Sequence, residues 1–322
     1  MIISFTEFKK IAAAICILLS LPVLFFSQTK AQDLFTYPQL QVQYDSALIF
    51  RNLKIIPVKR NEPCSPAEDS ATGSFLSLKS GMRNGQVLLK ERGNYMVDNI
   101  NVLLIENKSN QNLHIKSGEI VIGGYQDRVF AKDTILPPSS SPYTVPVYCI
   151  EENRWSKYAK RFGYGGNTSS GLQWLIDSSA SQTIIWNEIR KWVKESNEPS
   201  SSFAAVFNNR KMSDTLKDYL NFFLENLQKT DSNTVGIIAS SGDKVLGADV
   251  LISPSLFYQV LTNLLEKYCL EAIRSGEAPL ITHQQEAIYA NKLFSAGTQQ
   301  EQLDKKGKRI FYKGTLIQIT GH

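Results

Sequence analysis

Along the first half of the chain, apolar residues recur every second position or in short β-branched runs; along the second half they recur with a period near 3.6. The first pattern predicts strands over 48–58, 86–90, 100–105, 113–115, 119–122, 128–136 and 143–149. Turn signals separate them: Gly93-Asn94, the polar cluster 107–112, Ser117-Gly118, Gly123-Gly124 and Pro137-Pro138. One short helix is expected over 76–83, ahead of Gly85. Past Trp155 a glycine-rich loop over 161–171 precedes the helical pattern. Ile185, Ile189 and Trp192 form one stripe, and Leu216, Tyr219, Leu220, Phe223, Leu224 and Leu227 form a second behind Ser213 as N-cap. Two strands, 234–239 and 244–251, flank the turn Ser241-Gly242-Asp243. Ser253-Pro254 supplies a cap and an N1 proline for a helix that stops at Gly276. Thr282 and Gln285 have capping-box spacing for a last helix to about Phe294, and the tail 309–320 reads as one terminal strand. The expected class is α+β, with a β-rich antiparallel sandwich or barrel-like front half packed with C-terminal helices and a small hairpin.

Composition narrows the picture. With 322 residues, 43% hydrophobic and 20% charged, the chain can bury one or two cores and is neither disordered nor a disulfide-dense miniprotein. Lys9-Lys10, the apolar run 11–26 and the small residue Ala31 have the layout of a secretory signal. The run falls short of the roughly 20 residues that span a bilayer, and Pro22 interrupts it. The expectation is a signal peptide over 1–31 and a single domain over 32–322, β-rich over 40–155 and helix-rich over 172–322. The protein would then be secreted or periplasmic, with no stable membrane span after cleavage. Removing Glu7, Lys9, Lys10 and Lys30 lowers the formal charge from +5 to about +3, which gives no reason to expect a nucleic-acid partner. Of four cysteines, Cys16 leaves with the signal; Cys64, Cys149 and Cys269 remain, an odd number. Cys269 fits a buried helical position, and a Cys64–Cys149 bridge is open to the chain.

Familiar reaction chemistry is sparse. His114, His283 and His322 have no partners at metal-ligand spacing beyond the pair His283 and Glu286, so all three read as surface or cap-adjacent imidazoles and no metal or cofactor is implied. There is no G-x-S-x-G motif. The 161–171 stretch could cradle a phosphate with Lys157, Lys160 and Arg161 nearby, but it lacks the Gly-Lys-Ser/Thr ending of a P-loop and is better read as a surface loop.

Polar residues concentrate where strands begin and end. Gln126 and Arg128 project from one strand face, as do Cys149 and Glu151, and the spacing invites an Arg128–Glu151 contact and a second between Glu119 and Arg154. The six residues Glu119, Gln126, Arg128, Glu151, Arg154 and Trp155 therefore form the candidate ligand-binding set. Two readings compete: an ion-pair network that fixes strand register with Trp155 plugging the end of the sandwich, or a pocket in which the arginines hold an anionic ligand. Catalysis would require Cys149 as nucleophile, with His114 brought to it by folding, or Glu119 and Glu151 as an acid and base pair.

Gly118-Glu119, Gly123-Gly124-Tyr-Gln126-Asp-Arg128 and Val145-Pro-Val-Tyr-Cys149-Ile-Glu151-Glu-Asn-Arg154-Trp155 resemble the ARG and rhodanese-phosphatase-superfamily-associated protein domain. The stretch 78–85 with Val87 and Glu91, and Val245-Leu-Gly-Ala-Asp249 before the Pro254 helix, extend the resemblance over most of the chain. The resemblance implies no established enzymatic activity. The family name, which records association with ADP-ribosylglycohydrolases, implies a link to ADP-ribose or nucleotide-derived ligands. The leading expectation is an exported, noncatalytic binding domain for a small anionic or nucleotide-derived ligand. A hydrolase of an ADP-ribosyl or glycosidic bond and a cell-envelope interaction module are the alternatives.

Overall fold

In the computed structural model, which describes residues 40–62, 74–93, 100–154, 156, 158–294 and 307–322, the alternating front half forms β1 (Leu40–Val42), β2 (Leu48–Phe50), β3 (Leu53–Arg60), β4 (Phe75–Ser77), α1 (Leu78–Arg83), β5 (Val87–Glu91), β6 (Val102–Asn107), β7 (Asn112–Ile115), β8 (Glu119–Gly124), β9 (Arg128–Phe130), β10 (Thr134–Leu136), β11 (Tyr143–Cys149) and β12 (Lys160–Asn167). Helices α2 (Ser170–Asp177), α3 (Gln182–Ser196) and α4 (Arg210–Leu227) follow. The hairpin β13 (Thr234–Ser241) and β14 (Lys244–Leu251) leads to α5 (Pro254–Ser275), α6 (His283–Phe294), β15 (Gly307–Tyr312) and β16 (Thr315–Gly321).

Six strands in the order β12-β8-β9-β11-β6-β5 make an antiparallel sheet that curls until its edge strands β12 and β5 approach each other, a nearly closed barrel. The period-two alternation explains the closure. Val87, Leu89, Leu103, Ile105, Val121, Phe130, Val145, Val147 and Phe162 all face one interior, and curling the sheet removes that face from water. A short sheet, β10-β7-β4, adjoins it, with β4 and β7 parallel. A third sheet, β1-β3-β13-β14-β16-β15 with β2 paired to β3, gathers strands from both ends of the described chain.

Helix α5 joins these bodies. Ser253 caps it by accepting from the Leu256 amide at 3.2 Å, Pro254 pre-sets its first turn, and Gly276 at φ 72° closes it in the left-handed conformation. Val260, Leu261, Leu264, Leu265 and Tyr268 pack in the core beside the third sheet, while Asn263 and Lys267, equally buried, bond to Glu119 at the barrel and to Gln173 on α2. A helix buried nearly all round needs buried polar partners for such groups.

Several expectations change. The strand expected over 48–58 turns at Arg51, whose φ of 51° makes a hairpin of β2 and β3. The stretch 128–136 divides into β9 and β10, paired in different sheets. The helix expected over 76–83 begins two residues later, at Leu78, because Ser77 caps it and closes β4. The N-cap of α4 is Asn209, one turn ahead of Ser213. The tail is a hairpin, not one strand, since Lys313 and Gly314 both take positive φ. The supposed loop 161–171 is mostly β12, with α2 beginning at Ser170; Gly163 and Gly166 pair with β8.

Candidate functional site

The turn after β8, the segment after β11 and Ser202 build a polar junction at one end of the barrel. Gly123 and Gly124, both at positive φ, end β8 in a turn that a side chain would obstruct: a Cβ on Gly123 would lie 2.6 Å from the Arg161 carbonyl oxygen. The turn places Asp127 so that one carboxylate oxygen accepts from the Gly123 amide at 2.9 Å and the other accepts from the Ser202 hydroxyl at 2.7 Å. Arg154 donates to the first of these oxygens at 2.9 Å and lies 2.5 Å, through Nε, from a Glu151 oxygen. Glu151 also accepts from the Asp127 amide at 3.2 Å, and its backbone bridges to Ser202. The guanidinium is thus oriented by two carboxylates, while its Nη1 has no hydrogen-bond partner.

This junction lines an open cleft of about 530 Å³. Asp127, Glu151 and Arg154 form one wall, Lys160 and Arg161 of β12 another, and Ser200, Ser202 and Asn208 close it. Neither Lys160 nor Arg161 makes an ion pair among the described residues, so the cleft carries two uncommitted cations beside the held one.

Four of the six sequence-predicted residues meet here, in two layers. Glu151 and Arg154 face the cleft. Gln126 and Arg128 lie behind it: Arg128 is fully buried in the barrel, donating to Gln126 at 3.2 Å and standing 3.7 Å from Glu91, and the Gln126 amide donates to the Glu151 carbonyl at 2.9 Å. The expected Arg128–Glu151 contact is replaced by Arg128–Glu91, because Arg128 pairs across with Val121 and shares its inward face. Trp155 and Lys157 lie outside the described residues.

Glu119 is elsewhere. It opens β8, whereas Gly123 closes it, a separation of about 13 Å along a strand. Instead of meeting Arg154 it accepts from the Lys116 amide at 2.8 Å, Asn263 at 2.9 Å and the Tyr164 hydroxyl at 3.3 Å. Burial pushes its carboxyl up to about 7, with the Lys116 amide and charge and the Tyr164 hydroxyl opposing. Glu119 and Glu151 therefore do not make an acid and base pair across one site.

Cys149 is a free, buried thiol whose pKa burial raises, with Arg128 opposing, so it lacks the thiolate character of a nucleophile. His114 does not partner it: the imidazole is buried, shares a 2.9 Å hydrogen bond with Gln318, and is pushed down to about 4 by burial and by Lys116. It is no surface residue. Nor do His283 and Glu286 converge on a metal; His283 sits edge-on to Tyr44, while Glu286 pairs with Lys54 at 2.8 Å. Cys64 lies outside the described residues.

Sequence reasoning missed a second ionic cluster between barrel and third sheet. Asp249 accepts from Lys116 at 3.0 Å, Lys267 at 2.6 Å, Tyr268 at 2.8 Å and Thr320 at 3.0 Å, all buried. Lys308 joins Asp133, Asp177 at 2.7 Å and Ser117 at 2.8 Å, and His322 lies 2.8 Å from Asp177. Burial works against ionised Asp249 and Asp133, yet the adjacent lysines hold both carboxyls well below the ordinary range. These residues are scattered through the sequence, and no local spacing announces them. Asp127 and Ser202 were also missed; the glycine pair ahead of Asp127 is the one available signal.

Among the described residues no group of three or more histidine, cysteine or acidic side chains is placed to hold a metal, and no helix is long and apolar enough to cross a membrane. The family model described as ARG and Rhodanese-Phosphatase-superfamily-associated Protein domain matches residues 41–314. No curated protein and no solved structure matches the chain.

Proposed function

Because the chain belongs to the ARG and rhodanese-phosphatase-superfamily-associated protein domain family, we propose that it is a noncatalytic binding domain whose cleft at the barrel end takes a small anionic ligand of the nucleotide-derived class, ADP-ribose foremost. The observation that carries this reading is the convergence of Arg154, Lys160 and Arg161 on one open cleft of about 530 Å³. Asp127 and Glu151 fix the Arg154 plane, so little side-chain freedom is lost when an anion docks. The family's recorded association with ADP-ribosylglycohydrolases supports the choice of ligand class. Of the six-residue set, Glu151 and Arg154 would touch the ligand, Gln126 and Arg128 would brace them, and Glu119 would serve the α5 interface.

Isothermal titration with ADP-ribose tests the proposal. The wild-type protein should bind, and Arg154→Ala or the double change Lys160→Ala, Arg161→Ala should weaken binding at least tenfold without moving the melting midpoint by more than a few degrees. Equal binding by all three proteins would remove the cleft from consideration. Turnover of an ADP-ribosylated substrate that vanishes in Glu151→Gln would favour the hydrolase reading.

The same proposal places the protein outside the cytoplasm. Lys9-Lys10, the apolar run 11–26 and Ala31 support it. Amino-terminal sequencing of the protein recovered from the cell envelope or medium should begin at Gln32; recovery of an intact Met1 from those fractions would contradict cleavage.

A further inference from the structure

The floor of the cleft differs in character from its rim. Val121 and Phe162 face the barrel interior, so their neighbours Ile122 and Gly163 face outward. Ile122 and Gly163 stand directly opposite one another across β8 and β12. Ile122 is an aliphatic side chain left 39% exposed on a strand, and beside it Gly163 offers bare backbone. Gly123, Ala204 and Ala205 continue the lining with small groups. The result is an apolar patch about one strand spacing wide, roughly 5 Å, in the same cleft that Arg154, Lys160 and Arg161 line.

The absence of a side chain at 163 is not forced by backbone or packing. Gly163 is not among the positive-φ glycines, and a Cβ built on it would meet only Ile122 Cγ1, at 3.7 Å, an ordinary contact. Its neighbours contrast with it: a Cβ on Gly165 would lie 2.7 Å from both Ile120 and Ile122, and one on Gly124 would collide with Phe162 and Glu91. Gly163 is therefore the glycine of this cleft that the fold itself does not require, and what its bareness provides is open surface on the cleft floor.

Resting on the binding function proposed above, we infer that the cleft is divided into two subsites: the planar base of a nucleotide lies flat on Ile122 and Gly163, and the phosphates lie against Arg154, Lys160 and Arg161. An apolar seat beside cations suits a ligand with a flat ring at one end and negative charge at the other. It gives inorganic phosphate or a sugar phosphate only half of its contacts.

Titration calorimetry with ADP, ribose 5-phosphate and pyrophosphate, on the wild-type protein and on Gly163→Ala and Gly163→Leu, tests the division. ADP should bind the wild type roughly tenfold or more tighter than either baseless probe, the scale expected from burying one face of a base. Gly163→Leu should erase that advantage while leaving pyrophosphate affinity within about twofold, and Gly163→Ala should fall between. Melting midpoints near that of the wild type establish that both variants fold. Equal wild-type affinity for ADP and pyrophosphate, or an equal loss of both in Gly163→Leu, overturns the base seat while the anion cleft survives. If none of the probes nor ADP-ribose binds the wild type, the function proposed above falls and the base seat with it.

Discussion

Arg128 is a charged side chain that braces the polar junction from inside the barrel without facing the cleft. It is fully buried, 3.7 Å from Glu91 and 3.2 Å from Gln126. Replacing it with alanine removes a buried cation 3.7 Å from the Glu91 carboxylate, and breaking a buried pair from one side costs about 3–5 kcal/mol. Arg128→Ala should lower the urea midpoint accordingly, whereas Arg154→Ala, at a partly solvated position, should cost far less. Two other buried groups set opposite pH dependences. The folded Glu119 carboxyl titrates near 7, above its unfolded value near 4.5, so its protonated form favours folding and that contribution is lost as pH rises from about 4.5 through 7. Folded His114 titrates near 4, below 6.5 unfolded, so the unfolded chain takes up its proton first and stability is lost as pH falls from 6.5 through 4. The two slopes offset between about pH 4.5 and 6.5, and Glu119 alone acts just above that window. Glu119→Gln should therefore be more stable than wild type at pH 8, by up to roughly 3 kcal/mol, and should show the acid-side loss of His114 uncompensated. Denaturant midpoints at pH 5, 6.5 and 8 check both signs.

At the scale of elements, the parts legible in the sequence are those whose cause is local. The Ser253-Pro254 start and Gly276 stop of α5, the Thr282–Gln285 box and strand β11 all follow from neighbouring residues. Strand β12 was illegible because glycine-rich sequence normally favours loops; pairing with β8 and the pressing together of Gly165 with Ile120 and Ile122 override that preference. The candidate site was legible as far as Gln126, Arg128, Glu151 and Arg154, whose strands pair or adjoin. Glu119 was misplaced because residue spacing gives direction across a strand, not which end of it faces which neighbour. Strand β14 illustrates the illegible remainder. Asp249 lies on it between two apolar neighbours, and its partners Lys116, Lys267 and Thr320 come from distant elements. Asp249→Ala would leave Lys116 and Lys267, with side chains only 4% and 5% exposed, as like charges without their shared anion. A loss of at least about 3–5 kcal/mol is expected, seen as insoluble expression or a collapsed urea midpoint, and Lys116→Met in the same protein should recover part of it.

Across the whole molecule, two apolar cores meet through charge. One lies inside the barrel; the other lies between the third sheet and its helices. Their boundary is crossed by Lys116 to Asp249, by Asn263 to Glu119, and by Lys308 to Asp133. Such bonds are directional, unlike apolar contact, so they fix one docking of barrel on sheet, and their burial shields them from salt. Lys308 is the member most open to test. It belongs to β15, at the edge of the third sheet, yet its ammonium reaches Asp133 between β9 and β10 and the Ser117 hydroxyl ahead of β8. Asp133 and Asp177 in turn raise the pKa of Lys308 against the effect of burial, so the ammonium stays charged throughout the physiological range. If this boundary couples the two cores, the wild-type protein unfolds in one step, with near-ultraviolet and far-ultraviolet circular dichroism tracing coincident denaturant curves. Lys308→Met keeps the chain length and apolar stem but leaves Asp133 with the more distant Lys116, at 3.7 Å, as its cation. The barrel should then melt ahead of the helix-covered sheet and the two curves should separate, an effect that raising the salt concentration in the wild type should not reproduce. Coincident curves in Lys308→Met would assign the coupling to apolar packing around α5 instead.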